Sequence, residues 1–385
     1  MESSEKKEPP VKSVIYYEPD LDIQEVLKLG VSDIILSTTF FSRFGKLSRK
    51  QLNEALALLN DVEINVIFEW DLLLTNEDFK RCCLEFESLD LDRVDFFRAL
   101  DPGVFSYLVS RNHKVHLLLD SGPFHNLQAI QSFLELGEGL VKRIVLSIEL
   151  DQEELSVICD ELDVEIEYLG YGQILLFYTP RSLVKPLYDA ESTDNWLEVT
   201  ANSEESPHKG FPVIENIHGT FMFNPKDHYV LEHVSSLDSL GVSHIKLDNR
   251  FFKNSLLASL LCEPEQAKND LPRKTIRGFF HKNKSDALFK KLKNHRILRR
   301  DKNYIGQVIE VEKGECVGIY LRNTLEHAKD MNLTLITPEG KEKSVVVNDV
   351  RDANGSLFKS GKYGDIIFIP HVGGVSVKTN VYYDG

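Results

Sequence analysis

The sequence predicts an α/β protein, a (β/α)8 barrel of the TIM type followed by a small antiparallel β-barrel domain. Before Pro272, short aliphatic or β-branched runs alternate with stretches of helical period, a pattern typical of parallel βα units. After Pro272, alternating runs are separated by Gly and Asn turn signals, which indicates antiparallel strands. With 385 residues, of which 42% are hydrophobic, the chain can bury one large core and a small one.

Eight runs are predicted as barrel strands, at residues 13–17, 33–37, 65–69, 94–98, 114–119, 143–148, 164–169 and 243–247. Helices are predicted between them at 48–59, 76–87, 126–136 and 152–162. Thr75 and Asp151 place a capping oxygen before two of these helices, and acidic residues follow in the first turn. A closed barrel is favoured over an open sheet because closure leaves no strand edge unpaired.

The chain is expected to divide into a few segments of different character. These are a disordered tail at 1–10, the barrel at 11–272, an insertion within it at about 188–225, a basic linker at 273–302 and a small β domain at 303–385. The insertion follows the seventh predicted strand. It should therefore lie on the C-terminal face of the barrel, where barrel enzymes carry their active sites.

Composition limits the kinds of partner that the protein can bind and the cellular compartment in which we expect it. The net charge of −15 argues against general attraction to nucleic acid or to anionic membranes. The charged N-terminal stretch does not resemble a signal peptide, and no apolar run approaches the roughly 18 residues of a membrane span. Five cysteines without a Cys-x-x-Cys pair predict reduced thiols. We expect a cytoplasmic protein with no membrane partner.

The basic linker departs from the acidic average of the chain. It holds twelve Lys or Arg against two Asp, so it carries +10 while the rest of the chain carries −25. Basic residues interleaved with aromatic ones suit single-stranded RNA, whereas a helical run of lysines also suits a solvated face beside the acidic barrel. Both interpretations stay open. The candidate RNA contacts are Arg277, Phe279, Lys282, Lys284, Lys290 and Lys293.

Polar residues follow several predicted strands at the ends where a barrel places catalytic groups. They are Glu69, Asp71, Asp101, Asp120, Glu149, Lys246, Asp248 and Arg250. Each can instead cap the helix that follows its strand. Together they predict a polar pocket, in which we expect Glu149, Arg181 and Asp248 to converge. The chain contains no Gly-x-Ser-x-Gly, His-Glu-x-x-His, P-loop or complete dinucleotide motif.

Several segments, in chain order, carry the pattern of a known family. They are Arg-Ile-Val-Leu-Ser-Ile-Glu-Leu at 143–150, the stretch from 165 to 182, Phe-Pro-Val-Ile-Glu-Asn at 211–216 with Gly-Thr at 219–220, Ile-Lys-Leu-Asp-Asn-Arg at 245–250, and Arg-Gly-Phe at 277–279. From about residue 33 to its end, the chain resembles the collagenase-like peptidase family, also called peptidase U thirty-two. The resemblance implies the site candidates Glu149, Glu165, Arg181, Lys246, Asp248 and Arg250.

The resemblance implies several functions. The family name implies a peptidase, while relatives are associated with hydroxylation of tRNA, ribosomal RNA or ubiquinone precursors. We expect a role in tRNA or rRNA modification such as hydroxylation, as an enzyme or an accessory subunit. One alternative is a non-catalytic paralogue that binds RNA or a partner protein, and a second is a peptidase.

The resemblance also bears on cofactors. Several relatives carry an iron–sulfur cluster on cysteines. This chain has Tyr171 where they place a histidine, and Leu175 and Ser182 where they place cysteines. The cluster is therefore predicted to be absent, and no other cofactor is expected.

We predict that anaerobically purified protein contains no iron–sulfur cluster, because its cysteines do not occupy the ligand positions of the relatives. Iron and acid-labile sulfide assays check this prediction. Near-stoichiometric iron and sulfide, lost on replacing Cys159 or Cys262, would contradict it.

Overall fold

The computed structural model describes residues 11–119, 126–187, 196–202, 209–281, 303–326, 330–338 and 340–383. The chain forms two compact units, Met1–Lys282 and Asn283–Gly385. The predicted tail at 1–10 lies outside the described residues, as do positions 282–302 of the predicted basic linker.

The first unit is built from strands and helices that alternate along its first half. In chain order they are β1 (Lys12–Tyr16), α1 (Ile23–Lys28), β2 (Val31–Ser37), α2 (Arg49–Leu58), β3 (Asn65–Trp70), α3 (Asn76–Glu87), β4 (Phe96–Ala99), α4 (Pro102–Ser110), β5 (Val115–Leu118), α5 (Leu127–Leu136), β6 (Val141–Val145), α6 (Gln152–Glu161), β7 (Glu165–Gly172), β8 (Leu175–Thr179), β9 (Trp196–Asn202), β10 (Lys209–Asn216), β11 (Gly219–Phe223), β12 (Asp227–Tyr229), α7 (Val234–Ser239), β13 (His244–Leu247), α8 (Leu257–Cys262), α9 (Pro264–Ala267) and β14 (Thr275–Ile276).

Eight parallel strands close into a barrel. Their order is β13, β1, β2, β3, β4, β5, β6 and β7, and β7 pairs with β13 in parallel to complete the circle. These strands match the eight predicted runs, with ends that differ by three residues or fewer. The predicted (β/α)8 barrel is therefore confirmed.

Successive residues of each barrel strand point alternately outward, toward the surrounding helices, and inward, toward the lumen. This alternation lets the sheet close into a barrel. Along β2 and β3, Ile34 and Phe68 belong to the main apolar core packed against the surrounding helices. Their strand neighbours Ile35 and Ile67 belong to a separate buried cluster with Val14, on the lumen side. Every second strand residue is thus enclosed by the barrel itself.

Local capping starts the helices where the sequence places cap residues. Ser48 and Asp151 form capping boxes at α2 and α6, and Thr75 caps α3. Asp101, a strand-end candidate, caps α4 by accepting hydrogen bonds from the N–H groups of Gly103 and Val104. Its role is therefore structural, because its carboxylate is occupied by the helix start.

Charged side chains fill the lumen of the barrel toward the N-terminal ends of its strands. Arg98 Nη2 donates to Glu167 Oε2 at 2.6 Å, and Arg143 Nη1 donates to Glu167 Oε2 and Asp33 Oδ2, both at 3.3 Å. All four side chains are buried. Although burial opposes it, Arg98 and Arg143 hold the pKa of Glu167 below its ordinary value. These ion pairs join strands that are far apart in sequence.

His244 is held in its neutral form at the same end of the barrel. Arg143 Nη2 lies 2.7 Å from His244 Nε2, which must accept because a guanidinium only donates. The other ring nitrogen, Nδ1, lies 2.9 Å from Ser243 Oγ. Burial, reinforced by Arg143, lowers the pKa of His244 to about 4.

An antiparallel sheet of four strands, in the order β8, β11, β10, β9, separates β7 from β12. It begins at Leu175, before the predicted insertion start at 188, and residues 188–195 and 203–208 lie outside the described residues. Phe44, Phe221, Phe223 and Phe251 pack together and join this sheet to the barrel loops. The insertion follows β7, at the C-terminal ends of the barrel strands.

The second unit is an antiparallel β domain. Its strands are β15 (Tyr304–Glu312), β16 (Cys316–Leu321), β17 (Leu325–Glu326), β18 (Met331–Ile336), β19 (Glu342–Val347), β20 (Arg351–Asp352), β21 (Ser360–Gly361), β22 (Ile366–Pro370) and β23 (Asn380–Tyr383). Seven of them form a half-barrel in the order β19, β18, β23, β15, β16, β22, β20, and β17 pairs with β21. Alternate residues such as Leu333, Leu335 and Val381 fill its own core. The predicted small β domain is therefore confirmed.

Among the described residues, no helix combines the length and the apolar character needed to cross a membrane.

We predict that the barrel loses stability in acid partly because His244 must stay neutral. Its pKa is about 4 when folded and near 6.5 when unfolded, so the unfolded chain takes up the proton first as the pH falls below 6.5. Between pH 7 and pH 5 this histidine should account for about 2 kcal/mol of lost stability. His244→Gln, which keeps an acceptor for Arg143, should show a correspondingly smaller loss.

Urea unfolding followed by tryptophan fluorescence measures this effect, because both tryptophans, Trp70 and Trp196, lie in the first unit. An equal acid loss in the parent and in His244→Gln would show that another group is responsible.

Candidate functional site

A cavity of about 530 Å³ opens at the C-terminal end of the barrel. Aliphatic and aromatic side chains such as Leu118, Leu169, Phe223 and Phe279 form much of its wall. Its polar and charged lining residues are Tyr16, Arg43, Glu69, Asp71, Ser147, Glu149, Gln173, Asn224, Lys246, Asp248 and Arg250. An apolar enclosure with a few convergent charges is the usual form of a small-molecule or active site.

Glu69, at the end of β3, is the centre of the hydrogen bonding in this cavity. Its Oε2 accepts from the Tyr16 hydroxyl at 2.9 Å, and its Oε1 accepts from Ser42 Oγ at 2.8 Å. Arg250 Nη1 approaches the same Oε1 at 3.3 Å. All of these side chains are buried, so the carboxylate is held in one orientation by three donors.

Arg250 is placed by a second carboxylate and by an aromatic ring. Its Nε and Nη2 donate to the two oxygens of Asp248 at 2.8 and 2.7 Å, a bidentate pair. The guanidinium carbon lies 3.5 Å from the centre of the Tyr16 ring. Asn249, between the two charged residues, bonds both the backbone N–H and the carbonyl of Tyr16, which ties this loop to β1.

Arg43 and Asp71 form a second buried pair beside Glu69. The Arg43 backbone N–H donates to Asp71 Oδ1 at 2.7 Å and its Nε donates to Oδ2 at 2.9 Å. Although burial opposes it, Arg43 keeps the pKa of Asp71 below its ordinary value. Asp71 therefore stays charged at neutral pH.

The carboxyls of the cavity differ in their affinity for a proton. Burial, strengthened by the negative charge of Asp71, raises the pKa of Glu69 above its ordinary value. The bidentate bonds from Arg250 outweigh burial at Asp248 and lower its pKa. Neighbouring acids whose pKa values are pushed apart can divide acid and base roles. Glu69 is thus the carboxyl best suited to exchange a proton with a bound molecule.

Four of the six catalytic candidates line this cavity, namely Glu149, Lys246, Asp248 and Arg250. Lys246 and Asp248 are largely buried, whereas the Glu149 side chain is exposed at the opening. The strand-end rule also named Glu69 and Asp71. The rule succeeds because parallel barrel strands bring all of their C-terminal ends to one face.

Two candidates lie elsewhere. Glu165 begins β7, so it lies at the N-terminal face of the barrel, where its Oε2 accepts from Arg143 Nη2 at 2.9 Å. Arg181 follows β8 within the insertion, and its side chain is exposed and does not line the cavity. The expected convergence thus holds for Glu149 and Asp248 but not for Arg181, because the added antiparallel strand carries Arg181 away from the barrel. Asp120 lies outside the described residues.

Sequence reasoning did not name Tyr16, Ser42, Arg43 or Gln173 as site residues. Tyr16 ends β1, so the same strand-end rule could have found it. Ser42 and Arg43 come from the loop after β2, and Gln173 follows β7 before the insertion. Phe41-Ser42-Arg43 belongs to the resemblance to the family, but neither that segment nor Gln173 is predicted from it to have a role in the site. Loop packing brings Ser42 to Glu69, Arg43 to Asp71 and Gln173 to the cavity wall.

The described start of the basic segment is partly neutralised by acidic residues of the barrel unit. Arg277 Nη2 lies 2.9 Å from Glu232 Oε1, and Arg273 Nη2 lies 2.7 Å from Asp227 Oδ1. Phe279 lines the cavity, whereas its neighbour Phe280 is fully buried and cannot stack on RNA. The candidates Lys282, Lys284, Lys290 and Lys293 lie outside the described residues.

The residues at the relatives' cluster positions do not form a ligand set. The Tyr171 hydroxyl donates to Asp227, Leu175 lines the cavity, and Ser182 Oγ donates to Glu215. The five cysteines lie on α3, α6, α8 and β16. Within the described ranges, no three His, Cys, Asp or Glu side chains are grouped to hold a metal ion. The chain's side chains therefore do not fit an iron–sulfur cluster at those positions.

Comparisons with known proteins add a family and distant relatives. The family model described as Peptidase family U32 matches residues 24–298. The tRNA hydroxylation protein P2 of Bacillus subtilis (strain 168) is 26% identical over 113 residues, which cover 28% of this chain and 36% of that protein. The chain thus matches little more than a third of the length of this curated relative.

Two solved structures are also similar to parts of the chain. The U32 peptidase Mk0906 is 14% identical, with a TM-score of 0.36, over 45% of this chain and 74% of the other. The C-terminal domain of a U32-type protein of Geobacillus thermoleovorans is 12% identical, with a TM-score of 0.20, over 22% of this chain and 94% of the other.

We predict that the Asp248–Arg250 pair is strongly coupled. Asp248→Asn should destabilise the barrel by about 3 kcal/mol, because it leaves the buried guanidinium short of a counter-charge. Asp248→Asn combined with Arg250→Gln should recover part of that loss. Urea unfolding of both single variants and the double variant measures the coupling.

The exposed pair Lys50 and Glu54 on α2 is the matched control, since its side chains are 86% and 60% exposed. Neutralising it should change stability little. Additive effects of the two cavity substitutions would show that Arg250 does not depend on Asp248.

Proposed function

Because the chain belongs to peptidase family U32, we propose that it acts in the modification of tRNA or rRNA by a hydroxylation-type reaction, as the enzyme or as an accessory subunit of it. The observation that carries this proposal is the cavity at the barrel mouth, in which a buried carboxyl with a raised pKa, Glu69, lies beside an apolar and aromatic wall. The name of the Bacillus subtilis relative, a tRNA hydroxylation protein, supports the choice of reaction.

Enclosed cavities suit chemistry on a nucleobase, because the base must leave its stack before an enzyme reaches its atoms. The flat rings of Phe223, Phe251 and Phe279 offer apolar faces for a base in a cavity of about 530 Å³. Arg250, Lys246 and Glu69 then face its polar edge. This combination supports a nucleotide as the bound unit.

The chain's own residues can supply part of such a reaction. Glu69 would hold or accept a proton, Tyr16 and Ser42 would fix its orientation, and the apolar wall would exclude water. Hydroxylation also adds an oxygen atom, so a co-substrate or partner protein would supply the oxygen and take up the electrons. A partnership of this kind is part of the proposal.

RNA binding through the basic segment is also proposed. Because Arg277 is already paired with Glu232, the proposed phosphate contacts fall mainly to Lys282, Lys284, Lys290 and Lys293. Phe279 belongs to the cavity instead, where it would contact the base rather than the flanking strand.

The geometry supports peptide hydrolysis less well. Ser42 Oγ bonds Glu69, as a nucleophile bonds its base, but Ser42 is fully buried and does not line the cavity. Ser147 lines it, yet its hydroxyl accepts from the Glu149 N–H. No cysteine is found among the described lining residues.

We predict that deleting the gene removes one hydroxylated nucleoside from tRNA or rRNA. Re-expressing the parent chain should restore it, whereas Glu69→Gln should restore less than a tenth, because the amide keeps the shape but cannot exchange the proton. Nucleoside mass spectrometry of digested RNA measures the modification. Glu54→Gln, an exposed carboxyl on α2 that does not line the cavity, is the matched control and should restore it fully.

Full restoration by Glu69→Gln would favour the accessory, non-catalytic role over the enzyme. An unchanged nucleoside profile after deletion would contradict a role in RNA modification.

A further inference from the structure

A second cavity, of about 920 Å³, lies beside the first at the barrel mouth. One wall is the insertion sheet, through Thr200, Pro212 and Ile214, and the other is the segment that follows β13, through Phe252 and Lys253. Gln173, Arg250 and Phe251 line both cavities. The two cavities are therefore neighbours, and these three residues lie at their junction.

Gln173 has an unused hydrogen-bonding atom at this junction. Its Oε1 is buried and accepts no hydrogen bond from the described residues. A buried carbonyl oxygen without a partner is costly, so such an atom in a cavity indicates a donor supplied by a ligand or by water. A carboxamide can also pair with the edge of a nucleobase, because its NH2 group donates one hydrogen bond while its oxygen accepts another.

The second cavity offers a free positive charge beside aromatic surface. Lys253 is exposed at its edge, and no carboxylate of the described ranges lies within ion-pair distance of its ammonium group. Arg273, which also lines it, is occupied by Asp227 at 2.7 Å. The carboxylates Glu198 and Asp270 also line the cavity, but neither lies within ion-pair distance of Lys253, which is thus the lining cation that can take a phosphate. Phe251 and Phe252 lie next to it in sequence and in the wall.

We propose that the second cavity is a subsite for the nucleotide adjacent to the one whose base enters the first cavity. Gln173 contacts the base at the junction, and Lys253 binds a phosphate of the neighbouring nucleotide. The ligand is accordingly single-stranded RNA of at least two nucleotides. This inference rests on the proposed function and adds to it the minimal length of the ligand.

Isothermal titration calorimetry with unlabelled oligoribonucleotides tests the subsite. The full chain is titrated with a mononucleotide and with oligomers of two, three and six nucleotides of mixed sequence. We expect affinity to rise at least tenfold from one nucleotide to two. Lys253→Ala should remove most of that gain without changing mononucleotide binding, and Lys253→Arg should retain it.

A second variant tests the same subsite by blocking its space instead of removing a charge. Ser255 is exposed and lines the second cavity but not the first, so Ser255→Trp should obstruct the subsite alone. Lys142→Ala, altered at the start of β6 on the opposite barrel end, is the control and should bind as the parent does.

The outcomes separate the subsite from the proposed function. Equal affinity for one and two nucleotides, or a dinucleotide gain that survives both Lys253→Ala and Ser255→Trp, would overturn the subsite while leaving RNA as the ligand. Absence of binding to RNA of any length would overturn both. A length-dependent gain with mixed-sequence peptides instead of RNA would assign the second cavity to a peptide and overturn the inference.

Discussion

When eight parallel strands close into a barrel, every second side chain of each strand points into the barrel lumen, which excludes water. In this protein many of those side chains are charged. A buried charge without a partner is strongly destabilising. Arg98 and Arg143 therefore have to meet Glu167 and Asp33, which other strands supply. Strand order, register and lumen composition depend on one another, so the barrel closes correctly only when these charges are matched.

Buried charges are also paired at the mouth of the barrel, in the candidate site, but there the carboxylates are not equally well paired with cations. Arg250 makes two short bonds to Asp248 and one contact of 3.3 Å to Glu69. Asp71 pairs with Arg43 at 2.9 Å. Burial and the negative charge of Asp71 raise the pKa of Glu69, whereas Arg43 at Asp71 and Arg250 at Asp248 outweigh burial and lower the pKa values of those two carboxyls. Glu69 is therefore the carboxyl of this network whose pKa is raised.

The insertion completes the site without contributing its charges. Its strands bring aromatic rings such as Phe223 against Phe44 and Phe251 and so build the apolar wall beside Glu69. Ser182, at one position where relatives have a thiol, serves local structure here. Ser182 and the backbone N–H groups that follow it bind the carboxylate of Glu215, which lowers its pKa to about 2 against the effect of burial. That loop is anchored by hydrogen bonds.

The sequence by itself determined the eight strands, the capped helices, the two units and most of the charged residues that line the cavity, because side-chain period, cap residues and strand ends are local properties. It could not place Arg181, which an added antiparallel strand carries away from the barrel. It also could not pair Arg98 with Glu167 or bring Ser42 to Glu69, since these partners are 69 and 27 residues apart. Such contacts depend on barrel closure and loop packing, and only the tertiary structure decides them.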